Sequence, residues 1–319
     1  MHNHNPGNFS TESLKSILST LVYFNIFNHP LTASEIAEFA HHLPNNPQSL
    51  KNHLEFLVDQ ELVYNHKGYY LINDEFENVE RRESGSSMAE KTWPKAYSQS
   101  VLISKFPYVR SVVISGSLSK GFMDENSDID FLIITEPGRL WITRSLLALY
   151  KKLFLFNSHK YFCVNYFIDT NNLTLPDKNI FIATELMFAV PVYNPDVHRN
   201  FLESNKWAMQ YYPSKKMDIP FDPEKFPPPP VSKKVAEKIL GGWPGKILDK
   251  LLMKITIGFW QKKFRTMKKK QYERDMKSDA GVAKHHPNGF RDRVLQEYEE
   301  NYNQILIKLN ACKQNSPIN

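Results

Sequence analysis

Apolar residues recur along this chain with two periods, and each change of period marks a change of element. From Thr11, the positions Leu14, Ile17, Leu18, Leu21, Val22 and Phe24 follow helical spacing. They predict an amphipathic helix to about Phe27, ended by Asn28-His29-Pro30. Thr32-Ala33-Ser34-Glu35 reads as a capping-box start, with threonine at the cap and glutamate three residues on. A short helix follows, with Ile36, Ala37 and Phe39 inward. Pro44 to Pro47 reads as a loop, and Ser49 to Gln60 as a third helix with Leu50, Leu54, Leu57 and Val58 on its apolar face. Leu62-Val63-Tyr64, a turn at His66-Lys67-Gly68 and Tyr69 to Ile72 predict a β-hairpin.

Asn73 to Lys91 is polar, a linker or a solvated helix, in which Arg81-Arg82 could reach a phosphate but more simply reads as a surface pair. Tyr97 to Phe106 predicts a helix that Pro107 ends. The period then falls to two. Val112-Val113-Ile114 forms a β-branched strand, Gly116-Ser117 breaks it, and a second strand runs from Asp128 to Ile134. Leu140 to Phe156 predicts an amphipathic helix that buries Leu146, Leu149, Leu153 and Phe154. Lys160 to Asp169 is a further strand, and Asn179 to Pro191 an apolar helix whose single acid is Glu185. Asn205 to Tyr212 is short and aromatic. Pro213 to Pro230 is a proline-rich, extended crossing. Beyond it Leu248, Leu251, Leu252, Ile255 and Phe259 keep helical spacing, Lys277 to Asn288 reads as a loop, and Arg291 to Lys308 as a last helix. This divides the chain into 1–75, a connecting segment 76–110, a core 111–212, the crossing 213–232 and a helical region 233–319.

The chemistry concentrates between Ser111 and Thr135. A buried strand that opens with two carboxylates needs something to offset their desolvation. On a strand, Asp128 and Asp130 share one face, with Ile129 on the other. Two such carboxylates make half of a hard-cation site, of the kind that holds Mg²⁺ together with substrate phosphates. Gly116 admits a ligand close to the backbone, Ser117 offers a hydroxyl, and Lys120 a positive charge. Turn chemistry alone explains Asp124 and Asn126, and extends to Asp128. It does not explain Asp130, which lies inside the apolar run.

These residues resemble the signature of the DNA polymerase beta-like nucleotidyltransferase superfamily, in its minimal form. That signature is a Gly-Ser-x-x-Arg-Gly loop followed by Ser-Asp-x-Asp. Gly116, Ser117, Gly121, Ser127, Asp128 and Asp130 match, and Lys120 stands where arginine is usual. The resemblance implies an α/β (α+β) fold, a mixed sheet flanked by helices. It also implies transfer of a nucleoside monophosphate from an NTP, expected to be ATP, to an acceptor hydroxyl, with Mg²⁺ or Mn²⁺. Asp128 and Asp130 would hold the metal, and Gly116, Ser117, Lys120 and Ser127 the triphosphate. The family often adds a third carboxylate on the next strand. There Asn165 stands at one matching position, as a carbonyl ligand, and Asp169 at the strand end. Glu185 is the candidate to activate the acceptor. The three N-terminal helices and hairpin resemble a winged helix-turn-helix domain. Its third helix would enter a DNA groove, but its acids leave no basic stripe, and a packing role is the simpler expectation.

Composition adds boundaries. The 319 residues carry a formal charge of +6, compatible with a phosphate-rich partner. No apolar run is long enough to span a membrane, and no membrane partner is expected. Two cysteines, Cys163 and Cys312, form neither a disulfide framework nor a metal pair. A cytoplasmic protein fits. Lys262 to Lys270 is the densest basic run, either a solvated helix end or a grip on RNA or triphosphate. Two other readings compete with the enzyme. One is a catalytically inert, nucleotide-sensing regulator that binds DNA. The other is an antitoxin-like interaction protein. The acceptor, whether small molecule, protein or RNA, is left open.

Overall fold

The computed structural model describes residues 9–43, 46–156, 158, 160–215, 226, 228–285 and 289–315. The polar residues 1–8, part of the Pro44 loop, most of the proline-rich crossing and His286 lie outside the described residues.

α1 (Thr11–Asn25) starts where the Ser10 hydroxyl accepts the Ser13 N–H, and it buries Leu14, Ile17, Leu18 and Leu21. A two-residue strand, β1 (Leu31–Thr32), precedes α2 (Ala33–Phe39), which carries the reciprocal Thr32–Glu35 capping box. α3 (Pro47–Asp59) and the hairpin β2 (Tyr64–His66) and β3 (Tyr69–Leu71) complete the module. Its three-stranded sheet has the order β1-β3-β2. The strand β1 has no sequence signal, because two residues cannot show a period.

One helix, α4 (Glu77–Ser104), occupies both the segment read as linker or solvated helix and the helix predicted after it, with Pro94 inside. Arg81 and Arg82 are not a free surface pair. Arg82 is buried and bonds Glu35 of α2 at 2.7 Å, and Arg81 bonds Asp124 at 3.1 Å. This ties the N-terminal module to the loop of the core.

The core is a mixed five-stranded sheet. In chain order it brings β4 (Val109–Ser115), the single-turn α5 (Gly116–Ser119), β5 (Asp130–Thr135), α6 (Leu140–Phe154), β6 (Cys163–Asp169), α7 (Ile180–Met187) and β7 (Val190–Tyr193). α8 (Pro195–Glu203) and a 3-10 turn at Lys206–Gln210 follow. The C-terminal region holds α9 (Val231–Ile239), α10 (Trp243–Lys263), α11 (Lys269–Asp275), β8 (Val282–Lys284) and α12 (Phe290–Asn315). The strand order is β7-β4-β5-β6-β8, with β5 and β6 parallel and the other neighbours antiparallel. The mixed sheet flanked by helices is the expected fold class.

Three expectations need correction. The stretch 179–191 is not one helix, because α7 gives way to edge strand β7. The stretch 277–288 is not all loop, because β8 extends the sheet beside β6. α6 turns Leu140, Trp141, Ile142 and Leu147 inward and leaves Leu149, Leu153 and Phe154 exposed. Its apolar residues cover more than one face, so spacing alone does not select the buried one.

The alternation of β4 and β5 divides the core. Val113, Leu132 and Ile134 face the N-terminal module, α7 and α12. Val112, Ile114, Phe131 and Ile133 face α4, α6 and α10. No described helix is long and apolar enough to cross a membrane.

Candidate active site

β4 and β5 are in register with Ser115 opposite Asp130. Asp130 thus opens its strand beside the residue that precedes the glycine-serine turn. Alternation places it on the face of Leu132 and Ile134, toward the N-terminal module. Gly116 has φ +69°, a conformation costly for any residue with a Cβ. A Cβ there would also lie 2.4 Å from Asp130 Oδ2. Glycine is what allows the carboxylate to sit against the turn.

Lys120, one turn on, donates to Glu185 Oε1 at 2.8 Å and to the Gly116 carbonyl at 3.1 Å. Glu185 comes from α7, so an ion pair closes the turn against a second element. Cys163, the partner of Asp130 across the β5–β6 ladder, donates its thiol to that carboxylate. Burial drives the thiol well above its ordinary range, which keeps it protonated. Burial also pushes the Asp130 carboxyl up to about 6, with Glu185 and Asp128 adding repulsion and Cys163 and Lys120 opposing it.

Asp130, Gly116, Lys120, Cys163 and Glu185 line one cavity of about 510 Å³, walled by three parts of the chain. The core supplies Gly116, Ser117, Lys120, Ser127, Asp130, Asn165 and Glu185. The N-terminal module supplies Tyr23, Phe24, Phe27 and His29. The C-terminal region supplies Lys277, Lys284, Phe290 and Arg291. Burial, with Arg82, Lys120 and Arg81 nearby, holds the His29 imidazole well below its usual range, hence neutral.

Not every expected residue arrives here. Asp128 precedes β5 instead of opening it. The Ile129 N–H donates to the Lys160 carbonyl, and its carbonyl accepts from Cys163 N–H, so pairing has already turned toward β6. Asp128 does not line the cavity, but its charge reaches Asp130, Cys163 and Lys151. Ser127 closes the loop: its hydroxyl donates to Asp124 Oδ1 at 2.7 Å and accepts the Asp124 N–H at 3.1 Å. Asn165 contacts Cys163 Sγ at 2.7 Å through its amide nitrogen. Asp169 is buried at the far end of β6, where it accepts from Asn171 N–H and Asn172 Nδ2. It serves a turn there and stands away from Asp130.

The donor set suits a hard cation that shares its shell with a substrate. Asp130 is a half-buried carboxylate that lines the cavity, and Glu185, the Asn165 carbonyl and, outside the cavity, Asp128 are further oxygen donors nearby. Among the described residues no three His, Cys, Asp or Glu side chains form a metal cage.

Arg81, one of the two arginines that could reach a phosphate, does line the cavity, whereas the walls from the N-terminal module, notably Tyr23, Phe27 and His29, have no local sequence signal as site residues. Only the tertiary packing brings them to the turn.

Residues 100–182 match the family described as nucleotidyltransferase domain, a span that contains the glycine-serine turn, both aspartates and Asn165. The match supports placing this core in the nucleotidyltransferase superfamily. No curated protein and no solved structure matched the chain.

Proposed function

We propose that the protein transfers a nucleoside monophosphate from a nucleoside triphosphate, ATP by expectation, to an acceptor hydroxyl with Mg²⁺. The observation that carries this reading is the Asp130 carboxylate held against Gly116 in the wall of a cavity lined by three parts of the chain. Both lie in the stretch that matches the nucleotidyltransferase domain.

Asp130 would hold the ion, with the Asn165 carbonyl as a further oxygen and Asp128 adding its charge from outside the cavity. When bound, Mg²⁺ supplies charge neutralisation on the phosphates and alignment of attacking and leaving oxygens. Ser117 donates its hydroxyl to a phosphate oxygen. Lys120, fixed by Glu185, sets a positive charge beside the β- and γ-phosphates. Glu185 is committed to Lys120 at 2.8 Å and is better read as its anchor than as the acceptor's base. The apolar walls exclude water, which competes with the acceptor as nucleophile.

We read the N-terminal module as a winged helix that closes the cavity. Tyr23, Phe24 and Phe27 of its first helix and the adjoining loop form part of the wall. On α3, Lys51 is spent on Glu55 at 3.7 Å, which argues against a DNA-reading face. The inert-regulator and antitoxin-like readings are not favoured.

Incubation with NTP labelled at the α-phosphate, Mg²⁺ and cell extract tests the proposal. Label on a macromolecule or small product, released pyrophosphate and dependence on Mg²⁺ are expected. Absence of transfer with all four NTPs contradicts it.

A further inference from the structure

The inner and outer faces of α10 have different fates. Its inner face is satisfied within the fold. Trp260 is buried and packs near Trp141, and Asp249 accepts the Ile142 N–H at 2.9 Å. Its outer face repeats large apolar side chains every four residues, so neighbours on the helix surface form a stripe. Trp243, Leu251, Ile255 and Phe259 of α10, with Val235 and Ile239 of α9, are 48–74% exposed. From Trp243 to Phe259 the stripe runs about 24 Å at the helical rise. α6, which packs against α10, leaves Leu149 and Leu153 exposed too. Contiguous apolar surface on this scale marks an interaction site.

Charge selects the occupant. At 100° per residue, Lys246, Lys250 and Lys254 fall along one edge of the stripe and Lys262 within it. Lys234 and Lys238 on α9 are exposed as well. Between Val231 and Lys270 the chain has two acids, and both point inward. Glu237 bonds Arg110 at 3.0 Å and the Tyr108 N–H, and Asp249 bonds α6. The outer face is therefore apolar and cationic, with no acid to oppose it. A second copy would set lysines against lysines. A nucleic acid would leave the apolar stripe in water. A bilayer interface with anionic headgroups satisfies both halves, taking the apolar side chains at the acyl boundary and the lysines among the phosphates.

We propose that the outer face of α9 and α10 lies on membranes rich in anionic phospholipid. The helix rests in the interface and does not cross it, and Trp243 sits at headgroup depth. The basic run that follows, Arg265 to Lys270, extends the same positive surface.

The test is co-sedimentation of the full chain with vesicles of mixed phosphatidylglycerol and phosphatidylcholine, against phosphatidylcholine alone. Binding to the anionic vesicles, weakened by salt, is expected, with little binding to the neutral ones. Lys250→Glu with Lys254→Glu should weaken it more than about tenfold, since each lysine near the surface counts for roughly fivefold. Leu251→Ser with Phe259→Ser should do the same, and both pairs keep the circular dichroism of the parent because these side chains are exposed. Equal binding to neutral vesicles, or none to anionic ones, overturns the proposal. So does a dimer in sedimentation velocity that either pair converts to monomer, since the stripe then belongs to a second copy.

Discussion

Gly116 leaves no room for a side chain: a Cβ there would come within 2.4 Å of Asp130 Oδ2. The turn residue and the strand carboxylate therefore fix each other's position. Gly116→Ala must move the carboxylate or strain a backbone at φ +69°, at a cost of about 1–2 kcal/mol. Nucleotide transfer should fall at least about a hundredfold, since catalysis is sensitive to ångström-scale displacement, while the melting temperature drops only a few degrees. A variant with parental turnover would show that the contact is incidental.

Arg82, which is buried, and Glu35, which is half-buried, form an inter-module ion pair at 2.7 Å. Without Arg82, Glu35 keeps its Thr32 capping bonds and some solvent, so Arg82→Ala should destabilise by about 1–2 kcal/mol in urea titration, the cost of a lost charged hydrogen bond. Glu35→Gln should cost less, because the amide still accepts from Arg82. The double variant should cost less than the sum of the two. Additive losses would mean that the pair does not couple the module to the core.

The Asp130 carboxyl, at about 6 when folded and near 3.8 when unfolded, binds its proton more tightly in the native state. Native stability therefore falls as pH rises from about 4 to about 6, and stays low above that. Asp130→Asn abolishes this slope. At pH 7.5 it should be more stable than the parent by on the order of 3 kcal/mol, and the gain should vanish toward pH 4. Thermal melts across that range measure it. A gain that grows on acidification would contradict the assigned shift.

Lys120 is held between Glu185 and the Gly116 carbonyl. Lys120→Ala should raise KM for NTP about tenfold, the loss of one charge-assisted contact, and Lys120→Arg should recover most of it. Because Glu185 repels the Asp130 proton's departure, Glu185→Gln should move the acid limb of the activity profile to lower pH. If Glu185→Gln instead removes turnover with KM unchanged, it is the acceptor's base, and its role as an anchor is wrong.

The central strands and the turn between them were legible in the sequence because local patterns encode them. Val112 to Ile114, Gly116 and Phe131 to Ile134 each carry an unambiguous signal. Asp128 was misplaced onto the strand because a two-residue period cannot show where pairing stops. That limit is set by Ile129, whose backbone bonds Lys160 and Cys163. β1 and β8 were too short to have a period. The exposed side of α6 was misread because helical spacing reveals apolar stripes but not which stripe meets the core. His29, Phe27 and Tyr23 join the site through tertiary packing alone, so no motif could find them.

The most direct test pairs the parent with Asp130→Asn in transfer from α-labelled NTP at saturating Mg²⁺. Loss of transfer by at least about a thousandfold, with folding intact, is the expected result for a carboxylate that holds the ion and its phosphates. An Asp130→Asn protein that transfers nucleotide at the parental rate would contradict the account.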